Sequence, residues 1–484
     1  MIIFIKMFDR YFSYKTNSTT YIIYVVLLVL SFVDTLFVAT NTPAEGGTNY
    51  YFTLPLTFGL CLIFFKRIIP YHSGGYALKV FYFFCVVRYL FLPYHTCSFG
   101  SFATHWSSAA YSYAIFMQEI ELIVSCCVID FYYRRKFIEI STLLSNKKSS
   151  FYEELTLGGF LVIVFALMLI MSRGFDELLS YFRFFIVTDS IEVMWGYDQW
   201  MVHTMMPFLI IIITSYFQKR NTKHDNVLNA IIPSLLCLLS CTMIFGNNRM
   251  MLVYFALSGL SVLSVSFKKY SNIISVIILA SFVVVIFTFT MVKQYNTDVS
   301  QRVYEQVDED LTSKYLSEYV SSTEAIAKVY DMYSRTGNQM EVATIFADIV
   351  DKTHIFHLPN MPMKKWVEGI TPSYTLAMTG SEIVPMAGQT LYYGGYVLGW
   401  LLDILVFWLV IYLMVIFEIH SKLEVNLGNR YIYTWMSIIC AMAMCYHLGI
   451  IYAAFNYVPF FLWLALKANR SLASKRKLII TSNT

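Results

Sequence analysis

Arginines beside short turns between apolar runs are the first residues here with a chemical consequence. Gly246-Asn247-Asn248-Arg249 separates two long apolar runs. A turn that short leaves Arg249 little freedom, and its planar guanidinium stays charged at physiological pH and matches a phosphate bidentately. Arg173, followed by Gly174, ends another apolar run. Together the two suit a clamp for a pyrophosphate at a membrane surface, and the plainer alternative is that each snorkels to lipid headgroups. A third stretch runs from Gly380-Ser381-Glu382 through Gly388-Gln389-Thr390-Leu391-Tyr392-Tyr393-Gly394-Gly395-Tyr396. Glycine there permits close backbone approach to a ligand. Tyr392 and Tyr393 pair a flat apolar ring with a hydroxyl, which suits the face of a sugar. Here the plainer alternative is a helix start carrying interfacial tyrosines. Glu382, His354 and His357 are candidate proton acceptors for a hydroxyl.

Other patterns point away from common chemistries. Asp308-Glu309-Asp310 has a metal-holding form but reads more simply as a solvated helix face. His354-Ile355-Phe356-His357, with Asp348 and Asp351 upstream, reads more simply as a polar turn than as a metal site. The sequence has no GxxxxGK[ST], HExxH or GxSxG motif, which removes support for ATP-driven transport and the usual hydrolases. No metal and no cofactor is expected, and nothing points to nucleic acid. The nine cysteines form no paired or metal-type pattern. All but Cys97 fall inside apolar runs, where a thiol behaves as a small apolar group.

The elements that must position these residues are membrane spans. The chain has 484 residues, 57% of them hydrophobic and only 14% charged, against nearly a quarter charged in soluble proteins. Apolar runs long enough for a bilayer recur. About twelve spans are expected, at 21–40, 51–65, 77–97, 108–129, 155–172, 201–217, 227–245, 250–267, 273–292, 388–417, 431–448 and 450–466. The fold class is therefore all-α, a polytopic membrane protein. The first apolar run lacks a small-residue cleavage site and reads as a retained span.

Lys and Arg set the orientation. With the N-terminus cytoplasmic, Lys66, Arg67, Arg134, Arg135, Lys136, Lys219, Arg220, Lys268, Lys269, Lys422, Arg430 and the basic tail from Lys467 all fall inside. Both termini are then cytoplasmic, and the long polar segment between spans nine and ten is exterior. From Lys293 to Gly388 it carries thirteen carboxylates against eight Lys and Arg. Ser321-Ser322-Thr323-Glu324 predicts a capped helix start there, with Ile326, Val329, Tyr330 and Tyr333 at helical spacing and Gly337 as its stop. A second helix is expected around Val342, Ile345, Phe346 and Ile349. This gives three domains: a membrane region over 1–292, an exterior helical loop over 293–387, and a second membrane region with a basic tail over 388–484. The aromatic stretch 173–200 is expected to lie in the membrane interface.

Asp34, Arg88, Gln118, Glu119 and Glu121 fall within spans. A charge at the bilayer centre costs roughly 2.5–3.5 kcal/mol, so such groups pair or line a cavity. Arg88 is expected at the depth of Glu119 or Glu121 on the neighbouring antiparallel span.

The layout resembles Wzy-type polysaccharide polymerases of the bacterial envelope, which join lipid-linked repeat units of O-antigen or capsule. Three features carry the resemblance: about twelve spans, one large exterior loop in the C-terminal half, and a glycine motif after it. The family's G-E-x-Y-x-x-x-G pattern is similar to Gly388-Gln389-Thr390-Leu391-Tyr392-Tyr393-Gly394-Gly395, with Gln389 where an acid is common. The Asn248-Arg249 turn resembles a short exterior turn carrying an arginine in these enzymes. The resemblance implies a GT-C-like membrane glycosyltransferase of the bacterial cytoplasmic membrane, using undecaprenyl-pyrophosphate-linked glycans without a metal. It implies Arg249, Arg173, Glu382 and His357 as catalytic residues and Tyr392, Tyr393, Gln389 and His354 as substrate-binding residues. A chain-length regulator and a flippase of the same pathway are the implied partners. A lipid-linked oligosaccharide flippase and an O-antigen ligase share much of this layout and stay open as alternatives.

Overall fold

A computed structural model of the chain describes residues 18–65, 75–102, 105–145, 153–171, 197–221, 226–241, 250–284, 320, 322–336 and 385–482. Every regular element among them is helical. Four helical stretches are long and apolar enough to cross a membrane: Ile22–Thr40, Tyr76–Phe99, Met386–Leu423 and Leu448–Ser471. Shorter apolar helices are Thr53–Phe64, Leu157–Met168, Leu228–Ser240 and Met251–Ser266. The described residues are thus all-helical in their regular structure, with the character of a helical membrane protein.

The helices are α1 (Ser18–Thr40), α2 (Thr53–Phe64), α3 (Tyr76–Phe99), α4 (Ser108–Ser145), α5 (Leu157–Met171), α6 (Tyr197–Asn221), α7 (Leu228–Ser240), α8 (Met250–Ser266) and α9 (271–284). They continue with α10 (Thr323–Thr336), α11 (Met386–Leu423), α12 (Leu427–Ala441), α13 (Leu448–Asn456) and α14 (Val458–Ser482). Helix boundaries depart from the hydropathic ones where polar chain can continue a helix. The run expected over 108–129 extends to Ser145, because hydropathy marks where the lipid ends rather than where helical hydrogen bonding does. The last break falls at 442–447 instead of His447-Leu448-Gly449. Those six residues leave the helix yet stay buried, the condition under which irregular backbone is tolerated at membrane depth.

The chain forms two compact units. One comprises Met1–Phe137, Asp308–Ile416 and Cys440–Ile451, and the other Ile138–Val307, Phe417–Ile439 and Tyr452–Thr484. The described residues of the long polar segment, α10 among them, belong to the first unit. Its cap sits one residue beyond the sequence expectation. Ser322 Oγ accepts from the Ala325 N–H at 3.4 Å, so Ser322 is the N-cap, and Thr323 starts the helix. Ile326, Ala327, Val329, Met332 and Tyr333 are all buried, as helical spacing requires of one packed face. The expected second helix, around Val342, and Gly337 lie outside the described residues, as do Asp308-Glu309-Asp310 and most of 173–200.

In the second unit, α14 packs on α5 and α6, and α7 packs on α6 and α8. Glu153, which is buried, gathers three segments there. Its Oε1 accepts from Arg470 Nε at 2.8 Å, from Arg470 Nη2, and from Asn426 Nδ2 at 2.6 Å. Asn469 Oδ1 accepts from the Thr156 N–H at 2.9 Å, and a Cβ on Gly159 would lie 2.3 Å from that oxygen.

Helix α11 is two helices. Gly395, at φ 63° and ψ −167°, breaks the helical path, a conformation that glycine adopts without penalty. Thr390 Oγ1 donates to Asp403 Oδ1 at 3.3 Å across a separation of 13 residues, although residues that far apart in a straight helix stand about 20 Å apart. The arm 386–394 is therefore folded back on the arm that starts at Tyr396. Glycine lets the arms close: a Cβ on Gly394 would lie 2.6 Å from Gly399 N, and one on Gly399 would lie 3.0 Å from Leu391 Cα. Small residues at such crossings are how membrane helices approach closely.

The crossing yields a test. Gly399→Leu forces the arms apart and is expected to cost about 1–3 kcal/mol, as over-packing does. Val397→Ala, at a position 74% exposed on the second arm, should stay within about 0.5 kcal/mol of wild type. Thermal unfolding of the detergent-solubilised protein should show a clearly larger drop for Gly399→Leu. Equal shifts would remove the fold-back.

Candidate functional site

The first unit holds a buried polar cluster built from α3, α4, α10 and α11. Within α3, Val87–Phe91 forms a π turn that buries Arg88, Tyr89 and Leu90. Such single wide turns recur at functional sites. Arg88 is 1% exposed, and its Nη1 stands 2.6 Å from Glu121 Oε2 of α4. The sequence left Glu119 and Glu121 as alternative partners. Two residues apart on a helix, they face different ways: Glu121 meets Arg88, while Glu119 faces the hydroxyls of Thr53 and Thr57 of α2. The expected intramembrane ion pair is present, and it is enclosed.

Gln118 extends the pair to the polar segment. In the orientation that satisfies both ends of its amide, the side-chain oxygen accepts from Arg88 Nε at 3.1 Å and from the Thr323 N–H at 3.1 Å. Its amide nitrogen donates to Thr323 Oγ1 at 2.6 Å. The first N–H groups of a helix have no partner within the helix, so the buried Gln118 takes up one of the unsatisfied groups of α10. Tyr51 hydrogen-bonds the side chains of both Thr96 and Thr323. Tyr89 stacks on Phe58, with ring centroids 6.4 Å apart, and donates to the Gln118 carbonyl at 2.6 Å.

Asp403 approaches from the second arm of α11. It is fully buried and within electrostatic reach of both Glu121 and Arg88. Its Oδ1 accepts from Thr390, and its Oδ2 has no hydrogen-bond partner among the described residues. Hydropathy passed over Asp403 because one acid leaves an apolar run intact; its presence alone in such a run was the available signal. Asp34 is buried on α1, and neither of its carboxylate oxygens is hydrogen-bonded among the described residues.

Of the residues picked out from sequence, Arg249, Arg173, Glu382, His354 and His357 lie outside the described residues. Gln389, Tyr392 and Tyr393 lie on the folded-back arm. Gln389 Oε1 accepts from the Leu448 N–H at 2.9 Å, so it caps α13 with a side-chain carbonyl. Tyr392 is 0% and Tyr393 6% exposed, and their rings meet edge to face with centroids 5.1 Å apart. Neither offers an open ring face. The open ring is Tyr396, 46% exposed just past Gly395. It packs against Tyr330 and Tyr333 of α10, at centroid distances of 5.1 and 5.0 Å. That pairing joins chain positions more than sixty residues apart, which no local spacing reveals.

Comparison with protein-family models, with curated proteins and with solved structures finds no match to this chain.

Removing one member of a buried ion pair strands the other, at about 3–5 kcal/mol. Arg88→Met is therefore expected to deplete the protein from membranes and lower its thermal midpoint sharply. Asp403→Asn leaves the Arg88–Glu121 pair intact and keeps an acceptor for Thr390, so it should accumulate at close to the wild-type level. The role given to the pair is wrong if Arg88→Met proves as stable as Asp403→Asn.

Proposed function

We propose that the chain is a membrane glycosyltransferase of the Wzy polymerase type, joining undecaprenyl-pyrophosphate-linked repeat units on the exterior face of the bacterial cytoplasmic membrane. The observation that carries this reading is the joint between the polar segment and the glycine hairpin, where α10 packs its tyrosines on Tyr396 and seats its first turn on Gln118. A polar segment tied to a glycine- and tyrosine-rich hairpin is a built face for a glycan, whereas a solvated linker would leave both unpartnered.

The twelve-span orientation is supported by which chain segments touch. Glu45 Oε1 accepts from the Phe102 N–H at 2.9 Å and pairs with His105 at 3.2 Å, and Gln389 meets Leu448; all lie at ends assigned to the exterior. Glu153, Asn426 and Arg470 meet one another, and Lys219 Nζ donates to Glu154 at 2.6 Å; all lie at ends assigned to the cytoplasm. An odd number of missed crossings between any two partners would set them on opposite faces.

In the reaction, an acceptor hydroxyl oxygen attacks the anomeric carbon of the donor glycan. The new C–O bond forms as the bond to undecaprenyl pyrophosphate breaks, and the hydroxyl proton passes to a base, for which Glu382 and His357 are the candidates. Negative charge grows on the departing pyrophosphate. Arg249 and Arg173, at the exterior ends of spans, are placed in sequence to stabilise it electrostatically. The activated lipid supplies the driving force, which fits a sequence without nucleotide motifs. The cluster around Arg88 holds the scaffold in this reading. A flippase reading would use the same cluster as a transport path, but the pair's burial at 0% and 2% side-chain exposure favours a scaffold.

Arg249→Ala is expected to leave the protein in the membrane while the cell surface carries single repeat units in place of long polymer, a loss of at least tenfold in polymerised glycan for a bidentate phosphate contact. The measurement is the glycan length profile on a gel. Long polymer persisting in that variant would discard the clamp. In a strain lacking the gene, repeat units trapped inside the cell point to a flippase, and long glycan left on the lipid carrier points to a ligase.

A further inference from the structure

We propose that Tyr396, backed by Tyr330 and Tyr333, is a subsite for one sugar ring of the lipid-linked glycan; this rests on the reading that the chain handles such a glycan. Tyr396 follows the Gly395 break directly, so its backbone is fixed by the hairpin apex rather than by a free loop. Tyr333 meets the Tyr396 ring at 90° and Tyr330 meets it at 52°, and Tyr396 remains 46% exposed. The hydroxyls of Tyr330 and Tyr396 are hydrogen-bonded to each other. Behind Tyr330 stands Tyr113, with centroids 4.8 Å apart, and its hydroxyl is enclosed without a hydrogen-bond partner among the described residues. Asp331, within electrostatic reach of Tyr396, is 7% exposed.

The chemistry of this shelf selects its occupant. A pyranose ring has a face of C–H groups that lies flat on an aromatic ring and a rim of hydroxyls that need donors and acceptors. Tyr396 supplies the flat face, and the hydroxyls of Tyr330 and Tyr396 supply the rim. A polyprenyl tail would bring no hydrogen bonds and would desolvate the phenols, which is costly without new partners. Tyr392 and Tyr393, although nearer the glycine motif's centre, cannot serve because both rings are enclosed.

Binding can be read directly on the purified full-length protein in detergent. The probe is the host's own repeat-unit oligosaccharide, released from its lipid by mild acid and labelled with a fluorophore at the reducing end. Fluorescence anisotropy should show Tyr396→Leu weakening binding roughly tenfold, equivalent to about 1.4 kcal/mol. Tyr396→Trp, which keeps a flat ring, should stay within about threefold of wild type on the same scale. Unchanged affinity in Tyr396→Leu overturns the subsite, as does competition by undecaprenyl phosphate carrying no sugar. The two readings fail separately. A shelf that binds the oligosaccharide while gene deletion leaves polymer length unchanged keeps the subsite and removes the polymerase. Loss of polymer on deletion with no Tyr396-dependent binding does the reverse.

Discussion

One buried contact sets the terms for the first unit. Arg88 lies within an apolar helix, where an unpaired guanidinium could not be kept, and Glu121 meets it at 2.6 Å. The π turn at Val87–Phe91 takes part in this contact, since a wider turn re-aims the side chains it carries. Beside the pair, the Arg88 Nε–H also needs an acceptor, and Gln118 supplies an amide oxygen. The other capacity of Gln118 then reaches the first turn of α10. An electrostatic requirement in the apolar core thus becomes a fixed seat for a helix of the polar segment, 205 residues away in sequence.

A second constraint is steric. The hairpin in α11 exists because Gly395 adopts a positive φ and because Gly394 and Gly399 present no side chain at the crossing. This fold-back brings Thr390 to Asp403 and carries Gln389 to the start of α13. It also turns Tyr396 towards α10. Tyr392 and Tyr393, before the break, are buried, and Tyr396, just past it, is exposed. The glycine motif is thus a folding device that presents one particular tyrosine.

The two units carry different kinds of joint. Glu153 with Arg470 and Asn426 is a charge-assisted knot among three segments of the second unit. In the first unit, Gln389 caps α13 and Ser322 caps α10, beside the packed rings of Tyr330, Tyr333 and Tyr396.

By itself the sequence determined the class of the molecule, for a physical reason that is purely local. Runs of apolar residues long enough for a bilayer, the cap before α10 and its apolar face, and the charge of Arg88 near the depth of two glutamates all lie within short windows of chain. It also singled out Gln118 and the glycine motif as unusual. Tertiary structure alone decided which glutamate pairs with Arg88, that Asp403 joins them, that the expected single span after the polar segment begins as a hairpin, and that Tyr396 rather than Tyr392 or Tyr393 keeps an open ring. Each of those outcomes depends on a backbone reversal or on contacts between distant helices. Spacing along one helix cannot encode them, because they arise only when separate helices compete to fill the same buried space.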